Sequence, residues 1–131
     1  MHKEKYMADF GVEKAAEDLA NDFVNEKITS AQLRKFYNEF KGLERKYQTK
    51  MLAKTSDTIS KDDILNSILP QIKIMKAKVS YAKSRKVVPQ VFEDWLKKSV
   101  DDINSAKEFE AFLLHFEAIV GYAYGTGKLK D

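Results

Sequence analysis

Leu33, Phe36, Phe40, Leu43, Tyr47 and Met51 alternate spacings of three and four residues. In an α-helix that spacing keeps every side chain on one face; in a strand it would scatter them over both. The stripe lasts roughly five to six turns, so the chain must bury a long helix against something else. The same spacing fits a heptad seam, and a partner helix is expected along it. Thr29 stands at the N-cap position, and Gln32 three residues on completes the pattern of a capping box.

The remaining segments also read as helices. Val12, Ala16, Leu19 and Phe23 give a buried face to a helix over residues 12–25, after a flexible lead-in over residues 1–10 in which Phe10 is the candidate anchor. Residues 55–60 are polar and read as a loop. Ser60 then caps a helix whose first turn holds Asp62 and Asp63, where negative charge is favourable. Ile64, Leu65, Ile68 and Leu69 continue it to Pro70, which lacks an N–H and clashes with the preceding turn. The expected result is a helix over residues 61–85, kinked or broken near Pro70. Pro89 opens a fourth helix with Val88, Phe92, Trp95, Leu96, Val100 and Ile103 inward, ending at Asn104 or Ser105. Ser105 and Glu108 form a second capping-box pattern.

In the last helix Phe109, Phe112, Leu113, Phe116, Ile119, Val120 and Ala123 cover one face, and Leu114, Ala118 and Tyr122 much of the back. A helix this apolar lies at the centre of a bundle or against another chain. Gly125 is expected to end it, with residues 126–131 as a tail. Only 5 Gly and 2 Pro in 131 residues leave room for few turns, and no segment reads as a strand. The fold class is all-α: one helical domain over residues 1–131, a compact bundle of about five helices.

Several functions find no support. No apolar run approaches the length needed to cross a bilayer, and Met1-His2-Lys3-Glu4-Lys5 lacks the apolar core of a signal peptide. With no Cys, the chain reads as cytoplasmic, with no membrane partner. Two His and no Cys leave no zinc spacing, so no metal or cofactor is expected. His115 reads as a half-buried structural residue. The pairs Asp62-Asp63, Glu93-Asp94 and Asp101-Asp102 diverge by about 100° on a helix and do not converge on one bond; capping and solubility explain them. Gly121 to Gly127-Lys128 fails as a phosphate loop, because its glycines are one residue too far apart and Leu129 replaces the required Ser or Thr. Nothing points to an enzyme.

Charge distribution carries the positive signal. The net charge is +3, but residues 64–86 hold six basic side chains and no acidic one, and residues 30–54 hold seven against two. Both ends of the chain are acidic. Such asymmetry suits a polyanion on one face. Within Ile72–Lys86, Ile72, Met75, Val79 and Ala82 make a burial face, and Ile74, Ala77 and Tyr81 a second apolar arc on roughly the opposite side. Lys78 and Arg85 share one seam between the arcs, about 10 Å apart along the axis. Lys73, Lys76, Ser80 and Lys83 fill the other. The expectation is a helix packed on two sides with cations in both gaps. Arg34, Lys41 and Arg45 share a flank of the long stripe and extend the basic path if the second and third helices pack side by side. Cations on a rigid element with hydroxyls between them read phosphate without reading bases. The candidate residues for binding such a polyanion are Arg34, Lys41, Arg45, Lys73, Lys76, Lys78, Tyr81, Lys83, Arg85 and Lys86.

Met75-Lys76-Ala77-Lys78-Val79-Ser80-Tyr81-Ala82-Lys83-Ser84-Arg85 resembles the signature helix, basic-x-basic-x-x-Tyr-x-x-x-Arg, of the small subunit of type III-A CRISPR effector (Csm) complexes. Thr29-Ser30-Ala31-Gln32-Leu33-Arg34 is similar to that family's opening segment, and Phe116-Glu117-Ala118-Ile119-Val120-Gly121-Tyr122 to its C-terminal helix. Ser84 stands where the family often has Gly. The resemblance implies a non-catalytic subunit that stacks in several copies beside a filament of backbone subunits and holds target RNA by its phosphates. The implied partners are target RNA and the guide RNA–target duplex, the other Csm subunits, and copies of itself. Lys76, Lys78, Tyr81, Arg85 and Arg34 carry the implied contacts. A homo-oligomeric helical bundle without nucleic acid is the alternative reading. A helix-turn-helix DNA binder is a second one, without the short tight-turn signal that motif needs.

Overall fold

In the computed structural model the structure describes residues 10–54 and 58–131, with side chains from residue 15 onward. The helices are α1 (Phe10–Asn25), α2 (Ser30–Ala53), α3 (Lys61–Lys73), α4 (Met75–Ser84), α5 (Gln90–Asp101) and α6 (Ala106–Gly125). α3 and α4 are the two halves of one kinked helix, so the described residues form an all-α bundle of five helices by that count. The described residues contain no strand, only an isolated pairing of Thr29 with Lys130. Apart from Phe10, the lead-in lies outside the described residues, as do residues 55–57 of the expected loop and the side chain of Val12.

α2 buries Leu33, Phe36, Phe40 and Tyr47 from its stripe, with Leu43 and Met51 half-buried beside them. Its chief partners are α3 and α6. α6 is the central helix: it packs on α1, α2 and α3 and buries Phe109, Phe112, Phe116, Ile119 and Ala123. The rings interlock edge to face, the arrangement their quadrupoles favour. Phe40 meets Phe112 at 4.8 Å, Trp95 meets Phe116 at 5.1 Å, and Phe23 meets Phe92 at 5.2 Å between ring centroids. α1, α2, α5 and α6 thus share one aromatic centre. Removing a fully buried ring from it leaves a cavity as well as losing apolar burial.

The kink follows from Pro70 but appears at Ile74, one turn later. Pro70 has no N–H to offer the carbonyl one turn behind it, and its ring pushes that carbonyl away. Hydrogen bonding nevertheless continues through the bend. Ile74 N–H donates to Pro70 O at 3.0 Å, and the N–H groups of Ala77 and Lys78 both reach Ile74 O, at 3.0 and 3.2 Å. Pro70 therefore bends one helix and does not start a new one.

Helix ends match the cap reading in outline. Ser60 and Asp63 form a reciprocal capping box. At α2 only half of the expected box forms: Thr29 Oγ1 accepts from Gln32 N–H at 3.2 Å, while Gln32 Oε1 is buried without a hydrogen-bond partner. At α6, Ser105 Oγ accepts from Glu108 N–H at 3.2 Å, and Asp62 of α3 reaches across to accept Ala106 N–H at 2.8 Å. α5 ends at Asp101, short of the expected Asn104. Gly125 remains helical, and Gly127 takes the left-handed conformation at φ 70. The C-terminal residues are not a free tail: Leu129 packs on the core, and Lys130 O accepts Ser30 N–H at 2.6 Å.

α1 and α4 close with the same motif. Lys27 (φ 71) and Lys86 (φ 63) are left-handed. Ile28 N–H returns to Phe23 O at 3.0 Å and Val87 N–H to Ala82 O at 3.1 Å, the six-to-one bond of a Schellman cap. A side chain at positive φ costs about 1 kcal/mol that glycine avoids. Lys27→Gly is expected to raise the unfolding free energy by about 1 kcal/mol, read from the urea midpoint at unchanged slope. Phe116→Ala is expected to lower it by about 3–5 kcal/mol in the same experiment.

Candidate nucleic-acid interface

α4 buries Met75, Val79 and Ala82, as its first arc requires. The second arc is left open among the described residues. Ile74 is 55% and Tyr81 64% exposed, and Ala77 is exposed between them. The sequence pattern marks both arcs as apolar but does not say which has a neighbour. Lys78 and Arg85 border the open arc and are exposed as well. The Arg85 guanidinium lies 5.6 Å from the centre of the Tyr81 ring, within cation–π range.

The other seam faces α5 and is largely engaged. Lys73 Nζ donates to Val100 O at 2.7 Å and stands 3.5 Å from Asn104 Oδ1. It thereby adds a second donor to a carbonyl at the end of α5 that already accepts Ile103 N–H at 3.1 Å. Burial holds its pKa below the ordinary lysine value. Lys76 pairs with Asp101 at 2.6 Å, and that hydrogen bond holds the Asp101 carboxyl below its usual range. Ser80 Oγ donates to Glu93 Oε2 at 3.2 Å. Glu93 also accepts from Gln90 at 2.9 Å and pairs with Lys97 at 2.9 Å. It is only 8% exposed, not the polar-face residue its position suggests. Its pKa is lowered, chiefly by the Lys97 hydrogen bond. Lys83 is half-buried on the same seam.

On the opposite flank Lys78 reaches α2 and pairs with Glu39 at 2.7 Å. One turn before the kink, Lys46 of α2 donates to Gln71 of α3 at 3.0 Å. Arg34, Lys41 and Arg45 line the far side of α2. Lys41 pairs with Glu44 at 2.5 Å, and that hydrogen bond raises its pKa. Arg34 Nη2 donates to Tyr124 Oη at 2.8 Å, with the guanidinium 5.6 Å from the ring centre. Tyr124 was not among the sequence candidates; it lies 90 residues from its partner, and no local pattern joins them. Arg45, Lys83, Arg85 and Lys86 make no ion pair among the described residues.

Among the described residues no three His, Cys, Asp or Glu side chains come together to hold a metal ion, and no helix is long and apolar enough to cross a membrane. His115 is buried on the wall of an apolar cavity of about 320 Å³ formed by α1, α5 and α6. Its Nε2 accepts from Trp95 Nε1 at 3.4 Å, which leaves the ring proton on Nδ1.

A family model described as Csm2 Type III-A matches residues 8–127. No curated protein and no solved structure matches the chain.

Burial lowers the pKa of His115 to about 4. Above pH 6.5 the ring is neutral in both folded and unfolded chains. As pH falls from 6.5 toward 4, the unfolded chain takes up a proton that the folded chain excludes, so stability falls. The loss levels off near about 3 kcal/mol. Glu93 and Asp101 have lowered pKa values, and their contribution is lost only at lower pH, as each is protonated in the fold. Wild type is therefore expected to lose more stability than His115→Gln between pH 6.5 and 4, measured by urea unfolding followed through Trp95 fluorescence.

Proposed function

The chain belongs to the Csm2 Type III-A family and is a small subunit, a structural component, of the type III-A CRISPR effector complex, with the other Csm subunits as partners; from that premise we propose that it is a non-catalytic RNA holder. It grips target RNA, free or paired to the guide, by phosphates through the outer side of α4 and, separately, through the flank of α2 that turns away from α4 and carries Arg34, Lys41 and Arg45. It acts in the cytoplasm, in several copies along the backbone subunits. Sequence specificity belongs to guide pairing and not to this chain.

The observation that carries the reading is the outward arc of α4. Tyr81 stands 64% exposed beside Lys78 and Arg85, on a segment without a single acidic residue over 64–92. An exposed aromatic backed by a guanidinium offers a base a face to stack on, and the cations offer the backbone its counter-charge. Arg34 with Tyr124 repeats the combination on α2 and α6, and supports adding Tyr124 to the contact set. Arg45, Lys83, Arg85 and Lys86 are the cations most available to phosphate. Lys41, Lys76 and Lys78 must first leave a carboxylate, and Lys73 a carbonyl.

A purely self-associating bundle is favoured by different side chains: Leu52 and Leu114 are 88% and 66% exposed. Light-scattering mass with and without RNA separates that reading from the first. For the RNA reading, Lys78→Gln with Arg85→Gln is expected to weaken single-stranded RNA binding. It should also shallow the slope of log affinity against log salt by at least about 0.7, the share of Arg85, which leaves no carboxylate behind. Helical circular dichroism should stay unchanged. Equal affinity of variant and wild type in a gel-shift titration would exclude this face.

A further inference from the structure

We infer that Glu39 and Asp101 act as built-in stand-ins for phosphate, holding Lys78 and Lys76 in place while RNA is absent and attenuating RNA binding until it displaces them. The inference rests on the RNA-holding reading and assigns a regulatory role to two carboxylates within that site.

Residues 64–92 contain no acidic side chain of their own, yet two of the segment's lysines are not free. Each meets a carboxylate from another helix. Lys78 Nζ lies 2.7 Å from Glu39 Oε1 on α2, and Lys76 Nζ lies 2.6 Å from Asp101 Oδ1 at the end of α5. These are the lengths of charge-assisted hydrogen bonds, with the oxygen where a phosphate oxygen would sit. All four side chains remain partly open to solvent, from 28% for Glu39 to 58% for Asp101. Exposed pairs of this kind are worth little to the fold, so a polyanion can open them without disturbing the bundle. Each lysine is meanwhile held toward the helix that supplies its carboxylate.

The salt dependence gives this arrangement a distinctive signature. A lysine that moves from carboxylate to phosphate releases a counterion from RNA but leaves behind an unpaired carboxylate, which attracts one. The net release is small. With Glu39 or Asp101 neutral, the same lysine binds phosphate with full release.

The test is fluorescence anisotropy of labelled single-stranded RNA of mixed sequence, titrated with the full chain over a salt series. Glu39→Gln and Asp101→Asn keep side-chain size and the ability to hydrogen bond. Each is expected to tighten binding by about two- to fivefold at low salt and to steepen the salt slope by up to about 0.7, with the double variant additive. Glu17→Gln, on the exposed face of α1 without an ion pair among the described residues, is the charge-matched control and should leave the slope unchanged. Wild type that binds RNA while both variants keep its affinity and slope overturns the inference and leaves the RNA reading intact. An equal gain from Glu17→Gln also overturns it, because net charge alone would then account for the effect. Wild type that does not bind RNA at all overturns both.

Discussion

The bundle depends on the burial of aromatic rings between α2 and α6. Phe40, Phe112 and Phe116 form its middle, and Trp95 and Phe92 bring in α5 from the side. Phe23 closes it from α1 through Phe92 and Trp95. Rings of this size each remove a large apolar area from water and constrain one another's tilt. The central helix can therefore be apolar nearly all round, and the outer helices can spend their polar faces on charge. α3 and α4 lie at the edge of this cluster. Their contribution is aliphatic, from Ile64, Leu65, Ile68, Ile72, Met75 and Val79, which suits a segment whose outer side is left for contact.

Much of this architecture is legible in the sequence, because helical periodicity and capping are local. The stripe from Leu33 to Met51, the inward face from Val88 to Ile103 and the caps at Thr29, Ser60 and Ser105 each involve residues within a few turns. What is less legible is decided by the rest of the molecule. Periodicity marks both Ile72-Met75-Val79-Ala82 and Ile74-Ala77-Tyr81 as apolar arcs, but only the first is buried among the described residues. Of the two glycines near the end of α6, sequence favours the first. The helix does end at Gly125, but the left-handed residue is Gly127, beyond which Leu129 reaches the core and Lys130 meets Ser30. Gln32 fits a capping box by spacing, yet its amide oxygen does not close one.

The candidate interface is legible to a smaller degree, for a related reason. Counting charges along the chain gives their local density but not their partners. Lys78 and Glu39 are 39 residues apart, Lys76 and Asp101 25, and Arg34 and Tyr124 90. Each pairing arises from helix packing, which brings acidic residues of α2 and α5 against a segment that has none. Glu93 shows the same limitation from the other side. It looks like a solubility residue beside Asp94, but becomes a buried acceptor for Ser80, Gln90 and Lys97 once α5 lies against α4.

These pairings do not make the basic segment unfit for a polyanion. An exposed lysine–carboxylate pair contributes at most about 1 kcal/mol, because water solvates both partners almost as well apart as together. A nucleic acid presents phosphates in series, and each contact with a cation that has no carboxylate adds the entropy of a released counterion. A row of exchangeable pairs therefore yields to a long polyanion while resisting isolated anions, which must displace a tethered carboxylate with no such gain. The cations without carboxylates, Arg85 and Lys86 at the end of α4 and Arg45 on α2, would make first contact. The paired lysines would follow as the chain is laid down. Lys73 is different in kind. Its bond to the Val100 carbonyl at the end of α5 is partly buried, and the positive side chain there faces the negative end of the helix dipole, so its charge serves the fold first.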